Sequence, residues 1–183
     1  TAPVSTTSSA TTTTTQTPVT TTSTTSTTST TSTTSTTSTT VAPTTTQIAS
    51  GLVIDMSMGY GHRCVVLEGG TVKCWGMASY GQLGYGDTSN LGDDPGEMGD
   101  NLLAVDLGTG MTATAVSLGG MTSCALLGDG TVKCWGSNDS GTLGQGHSNF
   151  LGDNLGEMGN DLPPIDLGSG RSATAVRTNG ATA

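Results

Sequence analysis

Residues 64–76 read Cys64-Val-Val-Leu-Glu-Gly-Gly-Thr-Val-Lys-Cys74-Trp75-Gly76, and sixty positions later the pattern returns as Cys124-Ala-Leu-Leu-Gly-Asp-Gly-Thr-Val-Lys-Cys134-Trp135-Gly136. Each copy places two short apolar runs around a glycine turn, Glu68-Gly69-Gly70 in one and Gly128-Asp129-Gly130 in the other, which predicts a β-hairpin. The register continues outward without a gap. Gly81-Gln-Leu-Gly-Tyr-Gly86 returns as Gly141-Thr-Leu-Gly-Gln-Gly146. Leu91-Gly-Asp, Gly96-Glu-Met-Gly99 and Asp106-Leu-Gly108 return from Leu151, Gly156 and Asp166. A third copy opens as Ala173-Thr-Ala-Val176, the counterpart of Ala113-Thr-Ala-Val116. The chain therefore divides into two units, 51–112 and 113–172, and the opening strand of another at 173–183.

Inside each unit the periodicity is that of strands. The spacing predicts a first strand at Val53–Met58, with Ile54, Met56 and Met58 on one face and Thr114, Val116 and Leu118 as their counterparts. It predicts the hairpin strands at His62–Leu67 and 71–75, and a last short strand near 102–107 and again near 162–167. Glycine at this density would break a helix every few residues. Four short strands repeated at a fixed period point to an all-β chain of β-propeller blades.

These residues also carry a family likeness. The pattern Cys-Ala-Leu-x-x-Asp-Gly-x-Val-x-Cys-Trp-Gly-x-Asn-x-x-Gly-x-Leu-Gly-x-Gly, read from Cys124 onward, resembles the regulator of chromosome condensation repeat family. It is most similar to secreted members with two cysteines per blade and a Gly-Glu-Met-Gly loop. The resemblance implies propeller blades, usually seven in a closed ring. It also brings to mind guanine-nucleotide exchange and chromatin contact, which an acidic, two-blade chain is not expected to share. The first unit departs from the pattern, since Ala78 stands where the second has Asn138.

Composition separates the repeats from what precedes them. Residues 1–50 hold 27 Thr and 10 Ser, and all 28 glycines, 4 cysteines and 19 charged residues fall in 51–183. Short hydroxyl side chains bury too little apolar area to offset chain ordering, so 1–50 is expected to form no core. Thr-Thr-Ser triplets run unbroken from Thr21, placing Ser23, Ser26, Ser29, Ser32, Ser35 and Ser38 at every third position. That period suits an extended polyproline II path of about 3.1 Å per residue, with the serines along one edge. Ser/Thr-rich tracts with interspersed proline are the composition of O-glycosylated stalks. The six serines, with Thr24, Thr25, Thr27, Thr28, Thr30 and Thr31, are the expected acceptors, and covalent glycans the expected decoration. An unmodified disordered linker is the alternative. Neither an initiator Met nor a signal peptide is present, which predicts a processed or partial chain.

The charge balance, 5 basic residues against 14 acidic, argues against nucleic acid and anionic membrane surfaces as partners. No apolar run approaches the length of a spanning helix, so no membrane insertion is expected. Cys64 and Cys74 flank a hairpin centred on Gly69 and should face each other across it, as should Cys124 and Cys134. Directly opposed cysteines lie near the separation a disulfide needs. Reduced structural cysteines are the alternative, and zinc lacks its usual ligand spacing. Two disulfides predict an oxidising compartment, hence an extracellular or cell-surface protein.

Asp87, Asp93, Asp94, Glu97 and Asp100 crowd one glycine-bent loop. The first four are candidate calcium ligands, because hard cations take several oxygens from such loops. Otherwise they cap backbone donors and keep the surface soluble. Asn138-Asp139-Ser140 is an N-glycosylation acceptor in an expected surface loop. Trp75 and Trp135 are expected to pack between blades. His62 and His147 do not repeat and have no nucleophile beside them in sequence. No catalytic motif is present, so no enzyme is expected, and no cofactor beyond calcium.

Two blades cannot close a ring, which leaves sheet edges and apolar faces to be covered. The first expectation is a structural subunit of an extracellular glycosylated filament or appendage, with copies of itself as partners. There the strand at 173–177 would complete a blade in a neighbouring chain. The alternative is a secreted adhesion propeller on a mucin-like stalk, recognising a protein or glycan.

Overall fold

The structure, a computed structural model, describes residues 51–179. The expected O-linked acceptors from Ser23 to Ser38 lie outside the described residues, as does the end of the third repeat's opening strand. The described chain is all-β, with six strands: β1 (Val53–Met58), β2 (His62–Leu67), β3 (Val72–Gly76), β4 (Ala113–Gly119), β5 (Thr122–Leu127) and β6 (Val132–Gly136). They form two antiparallel sheets, β1-β2-β3 and β4-β5-β6, one propeller-type blade per repeat. The only helical pieces among the described residues are single 3-10 turns at Gly99–Asn101 and Asp139–Gly141.

Each hairpin closes as its glycines require. Gly70 N donates to Leu67 O and Leu67 N to Thr71 O, and Gly130 and Leu127 repeat both bonds within a tenth of an ångström. The Trp-Gly ending of the third strand also has a local cause. Gly76 and Gly136 take φ of 105° and 102°, and a side chain on either would run into a carbonyl oxygen, that of Gly61 or Met121. Only glycine fits both the positive φ and the close approach.

Two expectations are corrected. No fourth strand forms near 102–107 or 162–167. One backbone bond ties each stretch to its sheet there, Val105 N to Val72 O at 2.8 Å and Ile165 N to Val132 O at 2.7 Å. Pro163 and Pro164 offer no amide for a ladder in the second copy. These stretches instead lay Leu102, Val105, Leu107 and Leu162 into the core. The first strand also fails to alternate cleanly. A β-bulge between Val53 and Asp55, repeated between Ala113 and Ala115, shifts the register. Thr114 is therefore exposed while Val116 and Leu118 are buried, so the three do not share one face.

The two blades share a core. Cys64, Val66, Val72, Cys74 and Leu83 of the first blade pack with Val116, Leu118 and Trp135 of the second. Their inner strands lie side by side and are tied by side chains: Val116 N donates to Asp55 Oδ2 at 2.8 Å, and Leu118 N to Ser57 Oγ at 2.9 Å. The second tie recurs one step on, where Thr178 N donates to Ser117 Oγ at 2.8 Å.

Candidate binding cleft and the joint between the blades

The joint is polar at its centre and closed to water. Fully buried Trp135 donates from Nε1 to Gln82 O at 3.1 Å, and Ser123 Oγ donates to the same carbonyl at 2.8 Å. Because the Ser123 hydroxyl proton is committed there, His62 Nε2, 2.9 Å from Ser123 Oγ, is the donor of that pair. His62 is fully buried, and burial lowers its pKa to about 4; the Tyr60 carbonyl opposes this and the Arg63 charge adds to it. The imidazole is thus neutral at physiological pH. A histidine beside a serine resembles half of a nucleophile pair, but this hydroxyl points to a backbone carbonyl and has no access for a substrate.

The long loop after β6 reaches back over the first blade. Gly86 N donates to Gly152 O at 3.1 Å, and Tyr80 meets Phe150 edge-to-face with ring centroids 5.3 Å apart. Gly81 makes this approach possible, since a side chain there would collide with the Asp153 amide. Lys133, although buried, donates to Leu107 O at 2.9 Å and Gly159 O at 2.8 Å. Burial lowers its pKa, and Asp106 and Asp129 oppose that shift. Asn160 closes the rim, its Oδ1 accepting from Thr109 N at 2.9 Å.

A cleft of about 1000 Å³ opens where the β1–β2 and β4–β5 turns meet at one end of the joint. Met58, Tyr60 and Met121 supply its apolar wall, and Thr122, Asp139 and Thr142 its polar edge. Tyr60 is 66% exposed, so the cleft presents an aromatic ring to solvent. Such a surface can hold an apolar or stacking group and orient it through hydroxyls.

The residues singled out from sequence fall in different places. Cys64 is joined to Cys74 and Cys124 to Cys134, each pair with Cα atoms 4.1 Å apart on directly opposed positions. No free cysteine remains. Asn138 is not a surface acceptor: its side chain is fully buried, its Oδ1 accepts from Leu143 N at 2.8 Å, and its Nδ2 donates to His147 O and Asn149 O. An amide holding one loop together from within has no room for a sugar, so the expectation of an N-linked glycan there is corrected. In the first blade the direction is reversed, and Asn90 Oδ1 reaches in to accept from Ala78 N at 3.1 Å.

The acidic loop is organised around its own backbone. Glu97 Oε2 accepts from the amides of Gly92 and Asp94, and Asp87 Oδ1 from that of Ser89. The Asp94 and Gly92 amides hold Glu97 below the usual carboxylate range. Asp93 and Asp94 are exposed in the same loop. Among the described residues no three His, Cys, Asp or Glu side chains gather as metal ligands. Glu157 repeats the arrangement with Gly152 and Asn154 in the second blade.

Sequence reading missed the centre of the joint. His62, Gln82 and Ser123 each occur in one repeat only and carry no signal of their own. The lysines do: Lys73 and Lys133 recur sixty positions apart, and Lys73 also donates to a loop carbonyl, Gly99 O at 3.0 Å.

Two stretches, residues 53–82 and 113–142, match the family described as "Regulator of chromosome condensation (RCC1) repeat". The human E3 ubiquitin-protein ligase HERC2 is 30% identical over 94 residues, which is 51% of this chain and 2% of that protein. The E3 ubiquitin-protein ligase MYCBP2 of Danio rerio is 30% identical over 127 residues, 69% of this chain and 2% of that protein. The chain thus spans a small share of the relatives it matches. Among solved structures, Prp20p from Saccharomyces cerevisiae aligns with a TM-score of 0.44 and 17% identity, covering 68% of this chain and 28% of that one. The repeated geometry agrees with that match: the two stretches similar to the RCC1 repeat, residues 53–82 and 113–142, each hold the three strands of one sheet.

Proposed function

We propose that this chain is a non-catalytic structural subunit of an extracellular, glycosylated filament or cell-surface appendage, assembled through its RCC1-type repeats. The observation that carries this reading is unequal burial of equivalent residues. Val116 and Leu118 are 5% and 4% exposed against the neighbouring blade, whereas Met56 and Met58, at the same positions of the first blade, are 54% and 60% exposed. An apolar flank of this kind marks an interaction surface. The two disulfides suit an oxidising exterior. Among the described residues no helix is long and apolar enough to cross a membrane. The Thr/Ser tract would form a sugar-bearing coat, and the reading needs no cofactor. Negative-stain electron microscopy of native secreted material tests it: regular filaments with an axial repeat are expected, and discrete rings or single propellers overturn it.

The cleft beside Tyr60 and Met121 favours a second reading, an adhesion propeller on a mucin-like stalk that binds a protein or glycan. Such a module would stay a monomer or small ring at all concentrations, and Tyr60→Ala would abolish its ligand binding.

A further inference from the structure

The loops that follow β3 and β6 share a backbone and differ at one peptide bond. Residues 91–99 read Leu-Gly-Asp-Asp-Pro-Gly-Glu-Met-Gly, and residues 151–159 read Leu-Gly-Asp-Asn-Leu-Gly-Glu-Met-Gly. In both, the glutamate gathers the loop amides. Glu97 Oε2 accepts from Gly92 N at 2.7 Å and Asp94 N at 3.1 Å, and Glu157 Oε2 from Gly152 N at 2.9 Å and Asn154 N at 3.0 Å. The following turn has a glycine of positive φ in each copy, 91° at Gly96 and 83° at Gly156. Asp94-Pro95 stands where the second loop has Asn154-Leu155, and both Asp94 and Pro95 are exposed.

We propose that the Asp94–Pro95 peptide bond is a self-cleavage site, cut by the Asp94 side chain in acidic surroundings.

The nucleophile is free to act. The carboxylates of Asp87, Asp106, Asp129 and Asp166 are each held by the amide two residues on. Among the described residues Asp94 is engaged through its own amide alone, so its carboxylate can turn onto its own carbonyl carbon. Proline closes the competing route. An aspartate is ordinarily attacked at its side chain by the next backbone nitrogen, but Pro95 has no N–H to lose. In the second loop the side chain is an amide, and Asn154 Nδ2 donates to Glu157 Oε1 at 3.1 Å.

The step is a one-time hydrolysis. A carboxylate oxygen of Asp94 bonds to the Asp94 carbonyl carbon, the bond from that carbon to the Pro95 nitrogen breaks, and the nitrogen takes a proton from the acidic solvent. The cyclic anhydride left on Asp94 is opened by one water, which leaves an ordinary aspartate end. Attack from within the same residue outruns attack by free water because no second molecule has to be positioned.

The cut parts residues 1–94, which carry the Thr/Ser tract, from residues 95–183. While folded, the pieces stay together: Glu97 holds the Gly92 and Asp94 amides from across the cut, Lys73 donates to Gly99 O at 3.0 Å, and Val105 N donates to Val72 O at 2.8 Å. Neither disulfide spans the cut, since Cys64–Cys74 lies before it and Cys124–Cys134 after it. The pieces therefore separate on unfolding without a reductant.

The test is mass spectrometry of the full, disulfide-intact chain after incubation at a series of pH values, denatured without reductant. Two fragments are expected, one ending at Asp94 and one beginning at Pro95, at a rate independent of protein concentration. That rate should rise as pH falls from neutral toward about 4, because the leaving nitrogen must take up a proton. Asp94→Asn should slow the cut at least about a hundredfold, through loss of the internal nucleophile. Pro95→Leu should slow it at least about tenfold, because an ordinary amide nitrogen takes up the proton less readily. The second loop already holds Asn and Leu at these places, so both variants suit the fold. A parent that stays intact, or one cut at another bond, overturns the site. A cut that proceeds unchanged in Asp94→Asn overturns the internal attack. Cleavage in urea but not in the folded chain overturns the claim that the folded loop presents the bond.

Discussion

The two blades share a sequence pattern and a hydrogen-bond scheme but not an environment. Trp135 is fully buried against the first blade, while Trp75, at the same place in its own hairpin, is half-buried. β4 lies between β1 and the 173–179 segment, whereas among the described residues β1 has the other blade on one side only. A blade of this type carries only part of its core within itself. The rest is formed at the joint, so the stability of each repeat depends on what stands before and after it.

The largest expected effect comes from breaking the comparison at its tryptophans. Trp135→Ala should cost about 3–5 kcal/mol of stability, the range for a large aromatic lost from a packed site, and Trp75→Ala in the dilute chain about 1 kcal/mol. Denaturant unfolding of the oxidised proteins checks both. Equal losses would mean that the joint does not distinguish the blades.

The buried histidine gives the next effect. Its folded pKa of about 4 lies below that of the free side chain, so the unfolded chain binds the extra proton between the two values. The contribution is fully present above about pH 6.5 and lost as pH falls toward 4, to the extent of about 3 kcal/mol. His62→Gln should remove that part of the pH dependence, and urea titrations at several pH values will show whether the parent curve falls more steeply than the variant's.

Each disulfide closes a short hairpin loop and should contribute about 2–3 kcal/mol on the chain-entropy argument. Cys124→Ala with Cys134→Ala, compared with the same change at Cys64 and Cys74, separates the contribution within a blade from that across the joint. The bridge of the first blade lies under the joint, so its loss should cost more. Asn138→Ala follows at about 2 kcal/mol, from three hydrogen bonds between its buried side chain and the loop backbone. Treatment of the parent protein with an N-glycosidase should leave its mass unchanged; a mass shift would contradict the buried position of Asn138.

Strand order and hairpin register were legible because they rest on local signals: glycine at the turns, cysteines opposed across them, and a sixty-residue period that checks every assignment twice. The missing fourth strand was not legible. Val105 and Leu107 alternate as in a strand, and only the three-dimensional placement shows that they fill the core, with Leu102, through a single bond to β3. The sequon around Asn138 misled for a related reason. Its triplet is local, whereas the loop that wraps it, from His147 to Asn149, arrives from further along the chain. The His62–Ser123–Gln82 centre spans two repeats at unrelated positions, and no periodicity announces it. The candidate cleft is likewise a product of two turns brought together, visible in sequence only as Tyr60 and Met121 beside glycines.

The most direct measurement is hydrogen exchange at the inner strands, followed in dilute monomer and in native assembled material. In the monomer, Val116 and Leu118 amides, held by Asp55 and Ser57, should exchange slowly, and those of Met56 and Met58 much faster. On assembly the β1 amides should slow toward the β4 values as a neighbouring blade covers them. If β1 exchanges as fast in the assembled material as in the monomer, the open flank is not where these blades are completed.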